Sequence, residues 1–296
     1  MQYFIEVAKR EHVTEAAAAL NVAQSAVSRQ IFNLESELGV NLFFREGRNV
    51  ILTPIGKNFL KNMEQIIKLL ENAKREVQEY LDPERGTVRI GYPSSMGIYI
   101  LPTCIAAFRK LYPHVKFQLH QTTYHQLVEG VVNGKFDIAM LGSVPKQESK
   151  VVGKILFREN FVALLPRNHP LSQRPILKLQ QLKDDSFILY PKGFSLNEIV
   201  VNACRECGYT PNVLFEGEDI DSIKGLVVAG LGITLLPENT LIDAIPSSTV
   251  KIPIVDPPIS RTVGLIIPGD RTLLPTEKLF YEFLIDHYRQ LERFNN

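Results

Sequence analysis

Apolar residues recur along this chain with two different periods, and the order in which the periods alternate predicts its elements. Residues 14–20 read as a slim alanine-rich helix, with Thr14 as N-cap and Glu15 in the first turn. Asn21 and Val22 end it, Asn being suited to a left-handed turn position. In the next segment Val27, Ile31, Leu34 and Leu38 fall at intervals of four, three and four, on one buried helix face. Gln24, Ser25, Ser28 and Arg29 are left on the opposite face. Residues 42–52 then read as strand, Gly/Asn turn and strand, with Arg45 and Arg48 near the tip. Thr53 and Pro54, an N-cap and a proline at the first helical position, open a long helix. Along it Phe59, Met63, Ile66, Leu70, Ala73, Val77 and Tyr80 keep intervals of four and three, a heptad seam suited to pairing two helices. The seam ends at a Pro/Gly hinge, residues 81–86, the expected domain boundary.

From Thr87 onward strands and helices alternate. Strands are expected at 88–92, 116–121 and 136–141, with a turn at 93–97 leading to a helix through about Leu111 and another helix at 124–133. That β-α-β-α-β order predicts a parallel sheet with right-handed crossovers. A second α/β unit follows, with strands at 161–166, 187–190, 212–216 and 232–236 and helices from Leu196 and Ile220. A strand at 261–267 and a helix at 276–291 return the chain to the first unit. The fold class is therefore α/β: a winged helix-turn-helix and linker helix, then a two-lobed clamshell of the periplasmic-binding-protein kind with a ligand cleft. The expected domains are 1–53, 54–86 and 87–296, the last with lobe I at about 87–160 and 261–296 and lobe II at about 161–260.

Charge changes this picture in one respect. The 296 residues carry 33 Lys or Arg and 32 Asp or Glu, and 45% are hydrophobic, the balance of an ordinary globular protein. Residues 1–62 hold seven basic and six acidic side chains, so bulk charge gives no argument for nucleic acid there. Placement does: Arg suits guanine, Gln suits adenine and Ser either, while wing arginines suit phosphates or a minor groove. No apolar run is long enough to span a membrane and the N-terminus lacks a signal-peptide pattern, so a cytoplasmic location is expected. Cys204 and Cys207 have C-x-x-C spacing on one helix face, but no second pair or nearby histidine completes a zinc site, so they are read as structural. No metal or cofactor is expected. No nucleophile-elbow or phosphate-loop motif and no metal-binding His/Glu pair supports an enzyme. The alternative to a DNA-binding regulator is a cytoplasmic small-molecule receptor with no DNA-binding role.

The whole chain resembles LysR-type transcriptional regulators. The resemblance is carried by Ala16-Ala17-Ala18-Ala19-Leu20-Asn21-Val22-Ala23-Gln24-Ser25-Ala26-Val27-Ser28-Arg29-Gln30-Ile31, by Leu38-Gly39-Val40-Asn41-Leu42-Phe43-Phe44-Arg45 and by Leu52-Thr53-Pro54-Ile55-Gly56, with Phe136-Asp137-Ile138-Ala139 and Gly230-Leu231-Gly232-Ile233 further on. Within the family, Glu11-His12-Val13, Tyr80-Leu81-Asp82-Pro83, Arg85-Gly86-Thr87-Val88 and Glu216-Gly217-Glu218-Asp219 are similar to members that activate a glutamate synthase operon. The chain departs in beginning a few residues late, so that either its first helix is short or its start site is displaced, and in having Ala23 where the family commonly has a capping Ser. What the resemblance implies is a homodimer or homotetramer that binds double-stranded promoter DNA, works with RNA polymerase and responds to a small-molecule effector, without a membrane. DNA contacts are implied at Gln24, Ser25, Ser28, Arg29 and Arg48, and effector contacts at Ser94, Ser95, Thr123, Pro191 and Phe194. The narrower likeness implies 2-oxoglutarate or glutamate as effector, with Lys192, His120 or Arg158 supplying a cation.

Overall fold

The computed structural model describes residues 1–46, 49–145 and 150–295, and it divides into two compact units, Met1–Arg75 and Glu76–Asn296. The first unit is built from α1 (Gln2–Arg10), α2 (Val13–Ala19), α3 (Gln24–Leu38), a hairpin of β1 (Phe43–Glu46) and β2 (Asn49–Leu52), and the start of α4 (Pro54–Leu81). Its core joins Phe4, Val7, Ala16, Ala17, Val27 and Ile31 to Leu42, Phe43 and Met63. Short α1, nine residues long, buries four of them, Phe4, Ile5, Val7 and Ala8. Alanines 16 and 17 are buried, and their small side chains let α2 pack close to its neighbours. The cap of α2 is His12 rather than Thr14: Glu15 N donates to its Nδ1 at 3.4 Å, and Thr14 lies inside the first turn. Asn21 takes the left-handed conformation at φ 53°, as expected.

Along α4 the predicted seam divides. Phe59 and Met63 pack into the first unit's core, whereas Ile66, Leu70, Val77 and Tyr80 are 46%, 55%, 64% and 80% exposed. Thr53 caps the helix as expected, accepting from Gly56 N at 3.0 Å.

The second unit contains β3 (Thr87–Tyr92), α5 (Ser94–Gly97), α6 (Ile100–Leu111), β4 (Lys116–Gln121), α7 (Tyr124–Val132), β5 (Ile138–Leu141), β6 (Val151–Pro166), β7 (Leu177–Lys178), β8 (Ser186–Leu189), α8 (Ser195–Glu206), β9 (Asn212–Glu216), α9 (Ile220–Val228), β10 (Thr234–Pro237), β11 (Thr249–Asp256), β12 (Ser260–Pro268) and α10 (Pro275–Asn295). The sheet runs β4-β3-β5-β12-β6-β11-β7, with β10 also on β6 and β8-β9 as a separate pair. Its first three strands are parallel, as the alternating pattern predicts, but β5, β12, β6 and β11 are joined antiparallel. The turn expected at 93–97 holds the short helix α5, and the helix expected to follow it through Leu111 begins at Ile100, with Pro102, which lacks an N–H, in its first turn.

Two of the hydrophobic clusters among this unit's described residues bear on the cavity described below. One gathers Val88, Ile90, Phe108, Met140, Val263 and Phe280, with Phe108 and Phe280 edge to face at 5.0 Å. The other gathers Ala163, Leu165, Phe187, Leu189, Val200, Ile223 and Leu235. Strand β6 serves both: Val151–Asn160 pairs with β12, and its continuation pairs with β10 and β11.

Asp137 and Glu277, both fully buried, hydrogen-bond to each other where β5 and α10 begin. Asp137 accepts from Arg89 N and Nη2 at 2.7 Å each. Glu277 accepts from Arg271 Nη1 at 2.7 Å and Leu274 N at 3.0 Å. Nearby, Thr276 donates its N–H to Glu79 at 3.2 Å and its hydroxyl to Pro83 O at 2.7 Å, tying the end of α4 to the start of α10. Burial, and the neighbouring Asp137 charge, push the Glu277 carboxyl up to about 7 despite Arg271. Between the ordinary value and that raised one the folded state holds a proton that the unfolded chain releases, so this contribution to stability is present in acid and lost as pH rises. Glu277→Gln, which fixes the neutral form, is therefore expected to be more stable relative to wild type at pH 8 than at pH 5, measured by denaturant unfolding. Equal differences at the two pH values count against the shared proton.

Candidate functional site

Two groups of residues have the chemistry of a site, one in each unit. In the first unit α3 begins at Gln24 after Ala23, which provides an extended N-cap residue but no side-chain acceptor. Loss of such a cap costs about 1 kcal/mol relative to Ser. Gln24, Ser25 and Arg29 are exposed and Ser28 is half-buried, while Val27 and Ile31 turn into the core. Gln24 Nε2 donates to Ser28 Oγ at 3.1 Å, so these two polar groups are oriented against each other before any ligand arrives.

Backbone contacts hold the hairpin beside this helix. Gly39 ends α3 in the left-handed conformation at φ 69°, and Glu35 Oε1 accepts from Leu42 N at 2.7 Å and Phe43 N at 3.1 Å. On the far strand Val50 N donates to Glu11 O at 2.9 Å. Arg45 lies opposite Val50 in the ladder. Arg48, the predicted wing contact, falls outside the described residues.

In the second unit a cavity of about 380 Å³ opens between the two cores, within the size range of small-molecule sites. Four of the five predicted effector residues line it: Ser94, Ser95 and Thr123 on one side, Phe194 on the other. Pro191 is not among the lining residues; its carbonyl accepts from Phe194 N at 3.2 Å within the turn that carries Lys192 and Gly193 to the cavity. Of the candidate cations only Lys192 lines this cavity. His120 sits against the Phe136 ring, 5.5 Å between centroids, and Arg158 lines a different recess beside Tyr99 and Tyr288. Ser94 Oγ and Tyr190 OH lie 3.0 Å apart, a hydrogen bond from one side of the cavity to the other. Burial pushes the Tyr190 phenol up to about 12, so it stays protonated and keeps a donor.

Sequence reasoning missed Arg261 and Glu159. Arg261 lines the cavity, donates from Nη1 to Ser95 Oγ at 3.0 Å and pairs with Glu159 at 2.8 Å. The available signal was a charged residue at the head of an apolar strand, paired across the ladder with an acid. Cys204 is buried and Cys207 half-buried, and burial raises both thiols, which disfavours reactive thiolates.

Two family models match the chain. One, described as a bacterial regulatory helix-turn-helix protein of the lysR family, covers residues 1–57; the other, the LysR substrate binding domain, covers 81–289. The transcriptional dual regulator GltC of Bacillus subtilis is 52% identical over 294 residues, which cover 99% of this chain and 98% of GltC. Full-length CbnR complexed with its target DNA superposes with a TM-score of 0.79 at 22% identity, over 97% of this chain and 98% of CbnR. The effector binding domain of QuiR in complex with shikimate superposes with a TM-score of 0.64 at 22% identity, over 70% of this chain and 98% of that domain. These two structural likenesses are likenesses of fold.

Proposed function

The chain belongs to the LysR family of bacterial DNA-binding transcriptional regulators, and from that premise we propose that it senses a small carboxylate metabolite and controls genes of glutamate and nitrogen metabolism. The observation that carries the sensing half is the cavity, which Ser94, Ser95 and Thr123 line together with Lys192. Hydroxyl donors and two cationic side chains, Lys192 and Arg261, around a space of this size suit a small organic acid. The target genes are argued from the resemblance to activators of a glutamate synthase operon, together with the 52% identity to the transcriptional dual regulator GltC along almost the whole chain. That likeness makes 2-oxoglutarate and glutamate the ligands to try. Each, titrated through its dissociation constant, is expected to raise the melting temperature; at 100 times Kd the gain is about 2.7 kcal/mol. No shift with either across a hundredfold range of concentration overturns the choice of ligands.

DNA is read, in this proposal, by Gln24, Ser25, Ser28 and Arg29 of α3, with Arg48 in the wing. The first three can bond base edges or phosphates, and Arg29 can make a bidentate contact to guanine. Arg29→Ala is expected to weaken binding to the DNA upstream of its own gene by ~1–3 kcal/mol in a gel shift at fixed salt. Unchanged affinity removes Arg29 from the reading face.

The exposed apolar run Ile66, Leu70, Val77 and Tyr80 is proposed to pair two copies of α4. Four large apolar side chains at heptad spacing on one helix are the pattern of a two-stranded seam. Ile66→Asp combined with Leu70→Asp is expected to give a monomer in sedimentation experiments, and a variant that remains dimeric refutes the seam.

A further inference from the structure

Glu159 and Arg261 face each other in the β6–β12 ladder, and each side chain is only 1% exposed. Arg261 Nε donates to Glu159 Oε2 at 2.8 Å, and Nη1 donates to Ser95 Oγ at 3.0 Å. Nη2 lies 2.8 Å from the same Glu159 oxygen but makes no hydrogen bond to any described residue. The other Glu159 oxygen, Oε1, accepts from Asn239 N at 3.2 Å. Beneath the guanidinium is Gly142, where a Cβ would stand 2.6 Å from Nη1, so the backbone leaves room for this one group. Both Arg261 and the Ser95 hydroxyl that it holds line the cavity.

A buried guanidinium with an unmet donor is costly, and its planar fork matches the two oxygens of a carboxylate. Glu159 meets Arg261 through one oxygen only, which takes the hydrogen bond from Nε and lies beside Nη2 in poor hydrogen-bond geometry. Nη1 is held by the neutral Ser95 hydroxyl, a partner that a carboxylate can replace. We propose that Arg261 is the carboxylate anchor of this cavity and that Glu159 sets its strength. An incoming carboxylate takes Nη1 from Ser95 and satisfies Nη2, while Glu159 competes for the same cation. The ligand class, a small organic acid, rests on the function proposed above; the role of Arg261 is tested apart from it.

The decisive variant is Glu159→Gln, which leaves the guanidinium without its counter-ion, so that a carboxylate in the cavity supplies it. Two probes are used at constant ionic strength, 2-oxoglutarate by calorimetry and sodium formate by thermal shift. Glu159→Gln is expected to bind 2-oxoglutarate about tenfold tighter than wild type, and Arg261→Lys, a cation without the fork, about tenfold weaker. A purely structural ion pair predicts that both variants bind more weakly. Equal or weaker binding by Glu159→Gln, or unchanged binding by Arg261→Lys, overturns the proposal. Should Glu159→Gln fail to fold, Glu159→Asp, whose shorter side chain draws the carboxylate back from the guanidinium, takes its place in the same comparison. Tighter binding then upholds the anchor, and equal or weaker binding overturns it. If wild type ignores 2-oxoglutarate, the choice of ligand falls and the formate arm decides about Arg261. Greater stabilisation of Glu159→Gln than of wild type by formate upholds the anchor, and equal stabilisation removes it.

Discussion

The sensor depends on one continuous strand. β6 runs 16 residues, about 50 Å at some 3.3 Å per residue, and its two halves belong to different cores. Its first half pairs with β12 along one edge and its second half with β10 and β11, so it cannot bend freely without breaking ladder bonds. The chain returns between the cores just after β11, where Phe161 N donates to Ile259 O at 2.8 Å. Two spans of backbone therefore cross side by side, and Glu159 and Arg261 sit at that crossing. A cavity walled by residues from both cores can change shape chiefly by rotation about this narrow place. A charged pair buried there, with Arg261 lining the cavity, is placed to respond to cavity occupancy as a pair elsewhere on the sheet is not.

The Asp137–Glu277 pair fixes a different junction. Arg89 on β3, the approach to β5 and the first turn of α10 converge on two carboxyls with Arg271, while Glu79 and Thr276 hold the end of α4 nearby. Polar groups buried this deeply stabilise only when every partner is in place, so the cluster favours one arrangement of these chain ends over near alternatives. Asp137 reads in isolation as an acid at a strand end. Its partners lie 48 and 140 residues away in sequence, and no local pattern announces them.

Legibility followed the range of the interactions. Elements fixed by local chemistry were read almost to the residue: α3 from its apolar face, the wing from its turn, β4 and β9 from their alternation with helices. β11 was missed because Pro253 interrupts its apolar run, and proline argues against a strand until the ladder around it is known. The first half of β6 was missed because Lys154, Arg158, Glu159 and Asn160 make it look like a loop, although most of them simply face outward. In the cavity, the residues next to turns were legible because Ser94, Ser95, Thr123 and Phe194 follow strand ends. Arg261 was not, since its meaning comes from Glu159 across the ladder, 102 residues earlier. Three candidate cations were equivalent in sequence, and only the fold separates Lys192 from His120 and Arg158.

The near-neutral reading head sets a limit that the rest of the chain has to meet. With seven basic and six acidic residues over 1–62, it gains little from counterion release, the term that dominates non-specific binding. A few placed contacts worth about 1–3 kcal/mol each leave a single head weakly bound. Linking two heads turns the second contact into an intramolecular event, and the gain then depends on how well the spacing of the heads matches the spacing of the half-sites. Affinity in such a protein is governed by geometry more than by charge. That is the condition under which a metabolite, by changing the arrangement of a cavity in the other unit, can alter DNA binding without touching a residue of the reading head.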